Sequence, residues 1–365
     1  MLMAMADHSL DQSVTQSPVV LLTCGDPAGI GPEIVAASWA AAPHDRARLR
    51  VVADARMLAT VLARRGIATP PLIAVRCDDR RPSTSGELLV IEPPGSELEP
   101  AAIRDATISA AGGRAAATAV EHAAATVRSG LAAALVTGPL HKEALHAAGY
   151  DVPGHTELLA RACGLPAEAA SMMLWLPAQA GSAGGLGVVH ATLHESLRTA
   201  VARLSVDRIS AAGHRLHHGL TALLGHPPRL AVAALNPHGG EGGLFGDEEQ
   251  RLLMPAVARL VAAGISATGP LPADTLFVRA VAGEFDGVVA LYHDPGHIPI
   301  KLLGMHRAVN ITLGLPLVRT SVAHGTGFDI VGRGKADAAG MLAAIDTAIR
   351  LAAAPGFKAA SASAS

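Results

Sequence analysis

Short apolar runs, each ending abruptly in glycine, proline, histidine or threonine, alternate with longer helix-period segments along most of this 365-residue chain. Runs of four to eight apolar residues without polar alternation read as strands buried on both faces. Strands alternating with helices build a largely parallel sheet covered on both sides, so the expected fold class is α/β. Strands are expected at Pro18–Thr23, Leu49–Ala53, Leu88–Ile91, Ala133–Val136, Met172–Leu176, Leu186–Ala191, Leu230–Leu235 and Gly287–Leu291. Helices are expected near Pro32–Ala41, Met57–Arg65, Thr107–Ser129, Lys142–Ala147, Glu157–Cys163, Val206–His218, Asp247–Ala263 and Asp337–Ala353.

The length exceeds an ordinary single domain and predicts two lobes. Residues 17–138 with 286–355 are expected to form one lobe and residues 139–285 the other, with disorder at 1–16 and a flexible tail at 356–365. Half the residues are apolar but only 2% are aromatic, so helices must approach the sheet through small side chains. The formal net charge of −2 argues against a nucleic-acid partner, which selects for a basic surplus. Cys24, Cys77 and Cys163 are odd in number and far apart, which suggests a reducing, cytoplasmic setting without disulfides. Residues 1–16 lack a basic and apolar leader pattern, and charges interrupt the alanine-rich run 110–136, so neither secretion nor membrane insertion is expected.

Polar motifs recur just beyond the strand ends, where open α/β sheets place their chemistry. After the first strand, Gly25-Asp26-Pro27-Ala28-Gly29-Ile30-Gly31-Pro32-Glu33 reads either as a turn presenting backbone N–H groups to an anion or as an ordinary tight βα turn. It lacks the GxGxxG spacing of a dinucleotide fingerprint. Thr137-Gly138-Pro139-Leu140-His141-Lys142 follows another strand, and Gly154-His155-Thr156 opens a helix in a way that suits phosphate or carboxylate, or simple capping by Thr156. Lys142 reads as a catalytic or substrate lysine, or as a solvated helix start.

Among 17 histidines, His194, His238 and His293 each lie just after a strand, where neighbouring parallel strands would gather three imidazoles into a metal site with open positions. His190, four residues before His194, is the reserve ligand, and His297 shares a segment with His293. His214, His217 and His218 are expected to be solvated on a helix. Lys301, Asn310 and Arg319 follow at nine-residue intervals, offering two cations and an amide to a phosphorylated, carboxylated substrate. The glycine-rich segment 324–334 reads as a loop able to wrap adenosine or diphosphate, or as a surface loop.

In order, GDPAGIGPEI, TGPLHKEAL, PGHTELLA, NPHGGEGGLFG, GPLPADT, YHDPGHIPIK, VNITLGLP and RTSVAHGT resemble the motifs of the PdxA family, the 4-hydroxythreonine-4-phosphate dehydrogenases, over about residues 18–350. The loop HGTGFDIVGRGKA is similar to that of the wider isopropylmalate dehydrogenase-like superfamily. The resemblance implies a two-lobed α/β/α subunit, a homodimer with its active site at the interface, NAD or NADP, and one divalent metal (zinc, magnesium or cobalt). It implies metal ligands at His194, His238 and His293, and substrate contacts at His155, Thr156, Lys301, Asn310 and Arg319, with Asp274 added by the PADT motif. The nucleotide loop is carried by His324, Gly325, Thr326, Asp329 and Gly332, and Lys142 or Asp294 is expected to move the proton.

The implied reaction oxidises the 3-hydroxyl of a 4-phosphorylated four-carbon hydroxy acid to a decarboxylating 3-keto acid. The acid is 4-phosphohydroxy-L-threonine or 4-phospho-D-threonate or -erythronate. VVHATLHESLR and GHIPIKLLG also resemble relatives that dehydrogenate a terephthalate cis-dihydrodiol, which is the alternative substrate; a metal-dependent hydrolase or aldolase is a more distant one. Pro295 stands where the family usually has Gln, and Ala323 where it usually has Asp.

Overall fold

The computed structural model describes residues 18–179, 182 and 184–357; the disorder expected at 1–16 and most of the expected tail lie outside these residues. In the first part of the chain, strands β1 (Val20–Thr23), β2 (Leu49–Val52), β3 (Leu72–Val75), β4 (Leu88–Ile91) and β5 (Ala134–Thr137) are interleaved with helices. Those helices are α1 (Gly31–Ala41), α2 (Ala55–Arg64) and α3 (Ala110–Arg128). The middle contains α4 (Lys142–Ala147), α5 (His155–Ala162), β6 (Ser171–Leu176), β7 (Leu186–His190), α6 (Leu197–Arg203), α7 (Val206–Leu224), β8 (Leu230–Ala233) and α8 (Met254–Ala262). It ends with β9 (Ala267–Leu271), α9 (Ala273–Val281), β10 (Gly287–Ala290), α10 (His293–Gly304), β11 (Val309–Leu313), β12 (Val318–Val322) and α11 (Ala339–Ala353).

The twelve strands of the described residues join one sheet in the order β3-β4-β2-β1-β5-β12-β11-β6-β7-β10-β8-β9. The six strands from β3 to β12 are mutually parallel. β11 is antiparallel to both β12 and β6, and β6 to β7, so the parallel set β7-β10-β8-β9 runs in the opposite direction. The division expected at residue 286 places β10 with the first lobe; in the sheet it lies between β7 and β8. A uniformly buried run such as Gly287–Ala290 carries no mark of its neighbours, so sequence order is a poor guide to pairing here.

Every expected strand and helix forms, with ends shifted by a few residues. Four strands and three helices were not foreseen. β3 is a half-exposed edge strand behind Pro70 and Pro71, and β9 contains Gly269-Pro270, which its place at the other edge accommodates because proline leaves no ladder donor. β11 and β12 mix polar with apolar residues because they span the middle of the sheet over the cleft. Helix α10 carries Pro295 in its first turn, where no N–H is needed, and Pro299 inside it, so its proline content resembled a loop.

Local chemistry sets the helix ends. The Asp54 carboxylate accepts from Met57 N and Ser205 Oγ from Arg208 N, while Gly225 ends α7 in a left-handed conformation. Beneath β7 and β10, Leu216 and Leu220 of α7 are fully buried. A Cβ on Gly287 would stand 2.5 Å from a Leu220 methyl, so only glycine allows this approach. Truncation of Leu216 to alanine is expected to lower stability by roughly 2–5 kcal/mol, read as a fall in the urea midpoint; a parental midpoint contradicts this packing.

Candidate active site

A cleft of about 940 Å³ opens over the central strands and is lined by Lys142, His155, Thr156, His194, His293, Lys301, Asn310, Arg319, His324 and Gly325. Its floor holds the guanidinium of Arg319, which is 1% exposed. Arg319 Nη2 donates to Thr137 Oγ1 at 2.7 Å and Nη1 to Thr312 Oγ1 at 2.9 Å. The register explains the contacts, because Arg319 sits opposite Thr312 and two residues, one same-face repeat, before the Ser321–Thr137 pair. No carboxylate lies within ion-pair distance among the described residues, and burial pushes its pKa down to about 9 against the weaker pull of Glu157. A desolvated cation held only by hydroxyls is a seat for an anion.

Other groups converge on the same floor. Helix α5 starts at His155 with no side-chain cap, so Thr156 is inside the first turn rather than the capping residue, and the turn's N–H groups remain open. His155 Nε2 is shielded from solvent without a partner, and burial followed by the charge of Arg319 holds this imidazole well below its usual pKa. Asn310 Nδ2 rests on Met172 Sδ at 3.1 Å, leaving its buried Oδ1 unpaired.

The histidines only partly follow expectation. His194 and His293 face each other with ring centroids 6.0 Å apart. His194 is held at φ 54, and its proton affinity is lowered by burial, then by Lys142 and His293. His293 Nδ1 donates to Asp294 Oδ1 at 2.6 Å, which leaves Nε2 free. His238, however, stands on an exposed loop with Nδ1 on Glu241 Oε1 at 2.9 Å, and it does not line the cleft. The described residues of one chain therefore form no group of three or more metal-ligating side chains. The loop after β8 turns away through five consecutive left-handed residues, 238–242, a path that strand-end placement does not reveal.

His190 is a buried neighbour of this pair. His297 stacks on His293 at 3.8 Å, donates from Nδ1 to the His293 carbonyl at 3.2 Å, and lies 3.1 Å from His190 Nε2. Burial, then the charges of neighbouring groups, holds His190 far below the usual imidazole range and His297 at about 4. On α7, His218 is not solvated as expected: it stacks on Phe357 and meets that residue's carbonyl at 3.1 Å, because the C-terminal segment folds back across the helix. Asp274 is exposed in the first turn of α9 outside the cleft lining, and Asp294 is likewise outside it.

His324 and Gly325 line the cleft, and the following loop packs against the turn after β1. That turn does not offer its N–H groups to a ligand. Ala28 N donates to Asp26 Oδ1, Gly29 N to the Asp26 carbonyl and Ile30 N to the Thr326 carbonyl. Thr137 and Thr312 were missed as site residues, although both lie in the motifs TGPLHK and VNITLG; only the sheet register reveals that they hold Arg319.

The sequence profile of the family described as "Pyridoxal phosphate biosynthetic protein PdxA" matches residues 45–348. A 4-hydroxythreonine-4-phosphate dehydrogenase of Beijerinckia indica subsp. indica is 43% identical over 96% of each chain. A D-threonate 4-phosphate dehydrogenase of Cupriavidus necator is 42% identical over 92% of this chain and 97% of its own. The crystal structure of a 4-hydroxythreonine-4-phosphate dehydrogenase from Klebsiella pneumoniae matches with a TM-score of 0.80 and 41% identity, covering 92% of this chain and 100% of that one.

The neutral His190–His297 pair has a consequence for acid stability. An unfolded imidazole takes up its proton near pH 6.5, whereas His297 in the fold resists until about 4, so acid favours the unfolded chain across that window. The urea midpoint of chelator-treated protein is expected to fall between pH 7 and pH 4.5, and less steeply in His297→Leu. Identical slopes in the two proteins would remove His297 from the acid response.

Proposed function

Because the chain belongs to the PdxA family and is an oxidoreductase acting on a CH–OH group, we propose that it oxidises the 3-hydroxyl of a 4-phosphorylated four-carbon hydroxy acid with NAD or NADP. The observation that carries the reading is the buried Arg319 guanidinium without a carboxylate, beside the uncapped α5 terminus. With His155, Thr156, Asn310 and Lys301, it supports a site that holds phosphate and carboxylate at fixed positions and aligns C3 with the nicotinamide. Hydride leaves C3 for the nicotinamide ring, and the hydroxyl proton leaves to a base, giving a 3-keto acid that loses carbon dioxide. Lys142, on the cleft wall and electrostatically coupled to His194, is our choice for that base. Asp294 acts through His293, orienting its ring by the Nδ1 hydrogen bond.

His194 and His293 have the donor chemistry of metal ligands, but one chain supplies only these two of the three expected. We assign the third place to His238 of a second copy in a homodimer. Its loop ends in the exposed Leu244 and Phe245, and α9 and α10 expose Val278, Val281, Ile298 and Leu302, apolar surface suited to burial between subunits. A divalent ion held by these residues would supply Lewis-acid chemistry to the substrate's oxygen atoms.

A cofactor-reduction screen tests the substrate. It compares 4-phosphohydroxy-L-threonine, 4-phospho-D-threonate, 4-phospho-D-erythronate and the terephthalate dihydrodiol with both cofactors. Reduction with the dihydrodiol alone refutes the phosphorylated substrate. Arg319→Leu is expected to weaken binding of the phosphorylated acid tenfold to a hundredfold, about 1.5–3 kcal/mol, measured by calorimetry; unchanged affinity removes Arg319 from the anion seat. For the shared metal site, His194→Ala and His238→Ala should each lose metal separately. Unfolding and refolding the two together should restore metal to mixed dimers, which contain one complete set. No restoration argues against ligands from two copies.

A further inference from the structure

We propose that Glu33 and Arg65, remote from the reacting atoms, are positioning residues that latch the nucleotide loop against the first βα turn. The inference rests on reading the loop that begins at His324 as the cofactor loop. Arg65 ends α2 with its side chain only 1% exposed. Its Nη1 donates to the Gly29 carbonyl and its Nη2 to the Pro27 carbonyl, both at 2.8 Å, and Nη2 also meets Asp105 at 2.7 Å. Burial alone would raise the Asp105 pKa, but hydrogen bonds from Arg65 and Arg64 outweigh it and hold the carboxyl below its usual value.

Glu33, 6% exposed, lies 3.5 Å from Arg65 Nη1. Its Oε1 accepts the N–H of Gly332 at 2.9 Å, a contact across 299 residues that ties the far end of the cofactor loop to α1. The near end is tied by the Ile30 N–H donating to the Thr326 carbonyl at 2.9 Å. At the near tie the surfaces touch: a Cβ on Gly29 would stand 2.6 Å from the Thr326 oxygen, and one on Gly327 2.9 Å from the Ile30 side chain. The turn after β1 thus spends one donor, the Ile30 N–H, on the loop, and the buried ion pair holds the acceptor that fixes Gly332. A loop held at both ends loses less conformational freedom when a cofactor binds, so the latch raises cofactor affinity without touching the cofactor.

The test uses the full-length protein, with NADH and NADPH titrated by nicotinamide fluorescence and inorganic phosphate by calorimetry as the control for an intact Arg319 seat. Glu33→Leu should weaken binding of the preferred cofactor by about tenfold, the loss of one hydrogen bond to a charged acceptor, with phosphate affinity unchanged. Glu33→Gln keeps an acceptor for Gly332 and should recover most of that loss, which a merely destabilising change would not. If Glu33→Leu does not fold, Arg65→Lys decides, since it keeps the charge but loses the fork to the two carbonyls: several-fold weaker cofactor binding with parental phosphate binding supports the latch. Parental cofactor affinity in Glu33→Leu or Arg65→Lys, or equal loss in Glu33→Leu and Glu33→Gln, overturns it. Thr326→Ala and Asp329→Ala separate the two levels. Weakening in these loop variants but not in the Glu33 variants overturns the latch alone, whereas parental affinity in all of them overturns the loop assignment and the latch with it.

Discussion

The pairing of β11 antiparallel to both β12 and β6 is the contact on which the rest of this protein depends. With the antiparallel β6–β7 pair it fuses two parallel sets that run in opposite directions, so the strand ends that carry chemistry in each set face the cleft from opposite sides. Strands of four or five residues are about 15 Å long, which keeps both sets of ends within reach of one small substrate and a cofactor. The β11–β12 pairing places Arg319 beside Thr312, and the β12–β5 pairing puts Thr137 two residues along on the same face, giving the guanidinium hydroxyl partners and, among the described residues, no counter-ion. The cost of desolvating such a cation is offset when an anion arrives, which is the physical basis of the anion seat proposed above.

Around this centre the site is divided by chemistry. The proposed anion seat is drawn from β12, β11 and the first turn of α5; the imidazoles come from the end of β7 and from α10. The loop beginning at His324 packs on the turn after β1. Burial keeps His190 and His297 neutral, and the stacking of His297 on His293 braces the ring that faces His194. Rigid support of this kind limits how far a functional side chain wanders from its productive position. The polar residues of the central strands β11 and β12 are accommodated on both faces: Asn310, Arg319 and Ser321 line the cleft, while Thr320 donates to the Ala344 carbonyl of α11.

Much of this was legible in the residues. The apolar runs named eight strands correctly because a buried strand needs a continuous apolar stretch, and the family resemblance grouped His155, Lys301, Asn310 and Arg319, which line one cleft with His324. The edge strands β3 and β9 escaped because proline at a sheet edge breaks the apolar pattern without breaking the strand. Helix α10 escaped because its prolines mimic a loop. His238 shows the limit of strand-end placement: the residue after a strand shares an address with its neighbours, but the left-handed loop carries it elsewhere.

What the sequence by itself determined is local: which segments become strands and helices, where caps and turns fall, and which residue types gather in the motifs that mark the family. These follow from backbone sterics and side-chain periodicity over a few residues. The tertiary structure alone decided which strands pair, that the sheet reverses direction at β11, and that Arg319 is left without a carboxylate. It also decided that donors of the first βα turn are consumed within the fold, the Ile30 N–H by the loop beginning at His324. Those outcomes depend on partners more than a hundred residues away, such as Thr137 for Arg319 and Glu33 for Gly332, and no local pattern encodes a distance across the fold.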